Sequence, residues 1–549
     1  MKGRIKMKIN RFFNHRLTTF VVISAFITFL ISFSAVENVS AQSREKTLRV
    51  VTQDVVNRLD VGKAGYERVV FGIVSNIYDR LITFERDHLD NGFYHYSTTN
   101  HPGELAERYE FSEDKRTITF YLHKGATFHD GSPVTAHDVK WSWDRAVSLP
   151  TTKGQAKAGG LVDPKQFKVI DDYTFQITTD KPNRFTIDDL GVALFPIINS
   201  KLAKKHATAD DPWGTEYCAN NDCGGGAYKV TSWKPNEQII LDRHDGWKGG
   251  EQPYFERVIL QTIPESSARA ALIEKGRADL CADLVISDFL ALERRGKVKA
   301  ASIPMGNSIE FVAFNSQDDN FKNRKLRQAV AHAIPWDEIY KSVYFEKGSP
   351  LWGGKSETPS TIQYPQPFPY KHDLEKAKQL LTESGYPNGL KTTFSFSVPK
   401  ASLFEPLAVL VKKGLEEANI QVEIQKIPGA QMGTLLTERR LPLYSETTVA
   451  WLGGIPDYWF RIFYTGDWRW NYGNYQNEEM KKLCKDTQYE SDPEVMRKAT
   501  LRMIELVFRD IPILPIRMPA HNVVCSKDIE GYTYWYHGQM DFRHVKRSK

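Results

Sequence analysis

Residues 117–147, TITFYLHKGATFHDGSPVTAHDVKWSWDRAV, constrain local structure more tightly than any other stretch of this chain. Ile118, Phe120 and Leu122 alternate with Thr117, Thr119 and Tyr121, the period of a half-buried strand, and His123-Lys124-Gly125 ends the run. Asp130-Gly131 is a turn dipeptide, and Thr135 with Asp138 has the spacing of a capping box at a helix start. Val139, Trp143, Ala146 and Val147 then share the buried face of that helix. Strand, loop and amphipathic helix in such close succession predict an α/β layer structure. The alternation resumes after Pro264: Thr393–Val398, Leu403–Ala418 and Gln421–Ile427 read as the strand, helix and strand of one βαβ unit. Residues 66–81 and 325–344 each read as a helix, Ser266 or Ser267 as a helix cap, and Lys168–Ile170 with Tyr173–Ile177 as a hairpin around Asp171-Asp172.

The 549 residues exceed one ordinary core and suggest about three domains at roughly 150 residues each. A formal charge of +6 invites a nucleic-acid reading, but residues 1–41 hold six Lys/Arg against Glu37 alone; the rest carries 67 basic and 66 acidic residues. No footprint for DNA or RNA remains. The first 41 residues have the parts of a secretory signal: a basic start, an apolar run from Leu17 to Phe33, and Val39-Ser40-Ala41 before Gln42. Cleavage after Ala41 is expected; the rival is an uncleaved anchor, since the apolar run approaches the length of a membrane helix. No cysteine precedes Cys218, so the mature protein should be free in a periplasm rather than lipid-tethered. Of five cysteines in an exported chain, Cys218 and Cys223 make the best disulfide, flanking a turn-rich loop before Gly224-Gly225-Gly226. The alternative is five reduced, buried thiols.

"F-x-D-G-x-P-V-T-A-x-D-V-K-x-S", from Phe128 to Ser142, resembles the signature of the peptide-type (family 5) solute-binding proteins of ABC importers, which include oligopeptide-, dipeptide- and nickel-binding members. Tyr78-Asp79-Arg80-Leu81, Gly226-Ala227-Tyr228-Lys229-Val230 and Gly276–Leu280 match further elements of that family, so the resemblance spans residues 48 to about 520. It implies a two-lobed periplasmic binding protein fold, class II and cluster C in type, with an extra domain in the first lobe. The expected division is a signal peptide over 1–41, a first lobe over 42–308 with the extra domain near 86–208, a second lobe over 309–518, and a C-terminal return to the first lobe over 519–549. The crossings between lobes are expected near Pro304–Phe314 and Ile513–Pro519, and the lobes should close like a hinge. The implied function is delivery of a peptide or peptide-like small solute to an ABC permease and its ATPase subunits, by a monomer with no cofactor.

Catalytic signatures are missing: there is no G-x-S-x-G, H-E-x-x-H, P-loop or G-x-G-x-x-G opening a helix, so the chain reads as a binding protein rather than an enzyme such as a secreted hydrolase. His123, His129 and His137 lie inside the signature, where the fold explains them better than a metal does. The ligand segment is Val449–Tyr475, dense in large aromatics whose polar tips suit a concave wall. Trp451, Gly453, Asp457, Tyr458, Trp459, Arg461, Trp468 and Trp470 are the candidate ligand-binding residues, against the alternative that half of the rings pack in the second lobe's core. In peptide-binding relatives the matching stretch reads Trp-Thr-Gly-Asp and then Asp-Pro-Asp, the first Asp holding the ligand's ammonium. Trp451 and Gly453 match its start and Pro456-Asp457 its end, but the ammonium-holding Asp is absent, replaced by Gly454 or lost with a two-residue deletion, unless Asp457 or another acid takes its place. Sugars, opine-like conjugates and blocked peptides therefore compete with free-amine peptides, because a buried ammonium needs a carboxylate partner.

Overall fold

The computed structural model describes residues 44–350, 369–450, 456–467, 470–490, 492–535 and 538–548. Three of its sheets organise the molecule. The first has seven strands in the spatial order Lys299–Pro304, Ala520–Cys525, Leu280–Cys281, Thr47–Thr52, Arg257–Thr262, Gln238–Arg243 and Tyr228–Lys234. Thr47–Thr52 runs parallel to Arg257–Thr262 and Leu280–Cys281, buries Leu48 and Val50, and forms the axis of the first lobe's core. The second sheet orders Ser349–Pro350, Ile513–Met518, Ser308–Phe314, Leu443–Val449, Leu390–Ser397 and Ile420–Ile427. Its last two strands pair in parallel from Leu390 to Ser397 around the helix Ala401–Glu417, the expected βαβ unit.

The third sheet, Ala106–Phe111, Thr117–Leu122, Thr174–Thr178 and Phe167–Asp171, is the centre of the extra domain. The helix Ala136–Ser148 packs on it through Val139, Trp143, Ala146 and Val147, all buried, and the Thr135–Asp138 capping box closes its first turn. Asp138 also accepts from the Ser200 hydroxyl (2.7 Å), so the cap joins two helices as well as ending one. A saturated charge network anchors the chain's end to this lobe: Glu104, fully buried, accepts from Arg80 (2.7 Å) and Arg543 (2.6 Å), and Arg543 also pairs with Asp541.

Three elements differ from expectation. Residues 325–344 form two helices, Arg324–Ala333 and Trp336–Ser342, because Pro335 cannot donate to the turn before it. The helix expected over 66–81 is confined to Val70–Ile77, and Asp79 leaves it to bridge Ile197. Ser266 lies inside its helix, capped at Glu265, and its hydroxyl accepts from the Val285 N–H instead (3.0 Å).

The chain passes between the first and second sheets twice. Lys299–Pro304 belongs to one and Ser308–Phe314 to the other, so one crossing is residues 305–307; Ile513–Met518 and Ala520–Cys525 leave Pro519 as the second. The crossings touch, with the Met305 N–H donating to the Pro519 carbonyl (3.0 Å). Buried Asn307 fixes the junction by donating to the Ala450 carbonyl (2.9 Å) and accepting from the Tyr534 hydroxyl (3.0 Å).

Candidate functional site

In open α/β sheets ligands bind beyond the carboxyl ends of parallel strands, where loops diverge. On the first lobe that edge begins after Thr52. Asp283 accepts there from the Thr52 hydroxyl (2.6 Å) and the Gln53 N–H (2.7 Å) and pairs with Arg269 (3.0 Å). Burial, with Asp283 and Glu67 nearby, holds the Asp54 carboxyl above its usual range. Beside the crossings, His521 lies parallel to Tyr532 and within hydrogen-bond reach of its hydroxyl (2.7 Å), and burial pulls its pKa down to about 4.

The second lobe answers with charges that are already neutralised. Arg517, two residues before Pro519, makes a two-pronged pair with Glu310 (2.8 and 3.0 Å) and stacks over Tyr344 (3.7 Å). Glu446, near the end of Leu443–Val449, is paired with Lys400, which follows the end of Leu390–Ser397. Glu446 thus lies five residues before Trp451 with its charge committed.

Of the candidate ligand-binding residues, Trp451, Gly453 and Trp468 lie outside the described residues, as does the side chain of Asp457. Tyr458, Trp459 and Arg461 belong to the helix Pro456–Phe463. Trp459 packs inward, edge-on to Phe463 (4.7 Å), whereas Trp470 is 43% exposed. Tyr458 is 4% exposed yet faces the other lobe: its hydroxyl donates to Gln155 (3.1 Å) and its ring meets Phe185 (5.8 Å), both in the extra domain. Arg461 lies over the same Phe185 ring (5.2 Å). Nothing in the sequence singled out Gln155, Phe185, Asn307 or His521; the one available signal was the pair Asp188-Asp189 inside an apolar run, since buried acids need a reason.

Cys218 and Cys223, expected as a bridge, are neighbouring buried thiols, and the hydrogen bond between them together with burial pushes the Cys223 thiol far up. His129 is held by Asp222 (2.9 Å) and the Gly226 carbonyl (3.0 Å), while His137 is exposed beside Asp172. Among the described residues no group of three or more His, Cys, Asp or Glu could hold a metal ion, and no helix is long and apolar enough to cross a membrane.

Two α/β lobes joined by adjacent crossings define a two-lobed binding protein. The chain belongs to the bacterial extracellular solute-binding proteins, family 5, whose middle region matches residues 102–471. It is 25% identical over 474 residues to the probable D,D-dipeptide-binding periplasmic protein DdpA of Escherichia coli (strain K12), covering 83% of this chain and 86% of that one. The periplasmic binding protein DppA from Helicobacter pylori, solved with the peptide STSA, superposes with a TM-score of 0.76 at 22% identity over 93% of this chain and all of that one. The binding protein AgaA of A. tumefaciens R10, solved with agropinic acid, gives 0.73 at 20% identity over 92% and 99%.

Proposed function

We propose that this protein captures a peptide or peptide-like solute in the periplasm and hands it to an ABC permease powered by separate ATPase subunits, acting as a monomer and catalysing no reaction. The observation that carries this reading is the family match across both lobes together with the double crossing, a geometry suited to hinge closure around a small molecule. Trp451, Gly453, Asp457, Tyr458, Arg461, Trp468 and Trp470 are proposed to line or border the solute side of the second lobe, with Trp459 packing behind them to hold their helix in place. Export would remove residues 1–41 and leave Gln42 first, and the oxidising compartment would join Cys218 to Cys223.

A second reading is favoured by one observation. The expected ammonium-binding Asp is absent from the stretch Trp451 to Asp457, and Glu446, close by in sequence, is neutralised by Lys400. An opine or other conjugate lacking a free amine then fits the same cleft. Calorimetric titration with a D,D-dipeptide, the peptide STSA and agropinic acid tests both readings. Binding of either peptide at micromolar strength or better supports the first, binding of agropinic acid alone supports the second, and turnover of any of them would overturn the non-catalytic reading.

A further inference from the structure

We propose that the rim of the cleft carries a closing latch, built from Gln155, Phe185 and Asp189 of the extra domain and Tyr458 and Arg461 of the second lobe, which sets the closed-state population and hence how tightly any solute is held.

Phe185 carries the first part of the argument. It opens the helix Phe185–Leu190 in the extra domain, yet it is 0% exposed because its ring inserts into a hydrophobic cluster otherwise supplied by the second lobe, including Tyr458, Phe460 and Phe463. Its burial therefore depends on the lobes being shut; opening them returns a phenyl ring to water. Around it the polar groups form a relay across the boundary. Tyr458 donates to Gln155 Oε1 (3.1 Å), and Gln155 Nε2 donates to Asp189 Oδ1 (2.5 Å). Arg184 adds a bond to the Glu490 carbonyl (3.0 Å).

Two enclosed side chains from opposite lobes flank this contact. Asp189, 0% exposed, holds its carboxyl beside Gly159, and Arg461 Nη2 is shielded from water with no acceptor among the described residues. Arg461 also lies over the Phe185 ring (5.2 Å), so its guanidinium belongs to the same contact. A cavity of about 550 Å³ opens beside this contact, lined from both lobes by Lys157, Val162, Lys181, Ile462 and Tyr489. At such a rim a few side chains can dominate the open–closed equilibrium, and the affinity for any solute scales with the closed fraction.

The test reads closure directly and needs no added solute. Spin labels on Ile170→Cys in the extra domain and Val495→Cys in the second lobe, both exposed, report the distance between lobes, the five native cysteines being buried. With the latch intact, electron–electron resonance should give a short-distance closed population. Gln155→Ala with Phe185→Ala should cut that population at least tenfold, and Tyr458→Phe, which removes one oxygen and leaves the fold intact, about threefold. Lys347→Ala, away from the rim, should leave it unchanged. A missing closed population in the unaltered protein, or the same population in Tyr458→Phe, overturns the proposal.

Discussion

At the hinge the lobes are joined by backbone and by groups that stay together whichever way the lobes turn: Met305 bonded to Pro519, and Asn307 holding both Ala450 and Tyr534. At the rim they meet through side chains such as Tyr458 on Gln155, Arg461 over Phe185 and Arg184 on the Glu490 carbonyl, contacts that opening of the cleft would break. If the lobes turn about the crossings as proposed, the hinge contacts persist in open and closed forms alike, so losing one should lower folding stability and leave closure alone. The rim contacts exist in the closed form only. Losing one should weaken closure, with little effect on melting.

The sharpest way to break this contrast is Asn307→Ala. It strands the Tyr534 hydroxyl and the Ala450 carbonyl where water cannot replace the amide, a loss of about 2–4 kcal/mol. Urea unfolding should show the whole loss, with the closed fraction of the surviving folded protein unaltered. A changed lobe distance at unchanged stability would place Asn307 with the rim.

Acid gives the next largest effect. Burial draws the hinge-side His521 pKa down to about 4 from an ordinary 6.5. The folded state thus favours neutral imidazole, and the stability it contributes is present above pH 6.5 and lost as pH falls toward 4. Discounted because the ring keeps some exposure, the loss is roughly 2 kcal/mol, and His521→Gln should flatten melting temperature over that interval.

The sequence made some of this legible and left the rest out of reach for definable reasons. The strand Thr117–Leu122 and the capped helix after it are specified by neighbours within a few positions, so reading along the chain recovered them. Helix breaks such as that at Pro335 were visible in principle, since proline acts locally. The aromatic segment illustrates the limit: Trp459 buries its ring in its own lobe while its neighbour Tyr458 buries against the other, and composition cannot tell these apart. Gln155 and Tyr458 lie 303 positions apart and meet only when the lobes do. No local pattern encodes that.

Asp189 tests the rim by setting stability against closure. Burial holds its carboxyl well above the usual range, while the Gln155 bond and Arg461 pull the other way. The proton is thus bound more tightly in the folded state. The stability this lends is full at pH values below the ordinary carboxylate range, and it is lost as pH rises toward the folded value. Asp189→Asn should then raise stability at pH 7 by roughly 1 kcal/mol. It should leave the closed population unchanged, because the amide oxygen still accepts from Gln155. Higher stability with closure kept is what a relay running through Gln155 requires, and a closed population lost along with the carboxyl would count against it.

Lys347→Met is the smallest effect and the control for the rest. Lys347 pairs with Glu293 of the first lobe's helix Ile286–Arg295 (2.8 Å), so it too joins the lobes. It does so beside the hinge: the Lys347 carbonyl accepts from Arg517 (2.7 Å), two residues from the crossing at Pro519. A rotation about the crossings moves groups so close to the axis very little, so the pair should survive opening. Both partners keep appreciable exposure, and a solvated ion pair of this kind is worth about 0–1 kcal/mol. The expected outcome is a stability change within about 1 kcal/mol, fading as salt is added, and no shift in lobe distance. A loss of closure as large as that from Tyr458→Phe would mean that ion pairs near the axis, rather than the aromatic contacts at the rim, hold the lobes shut.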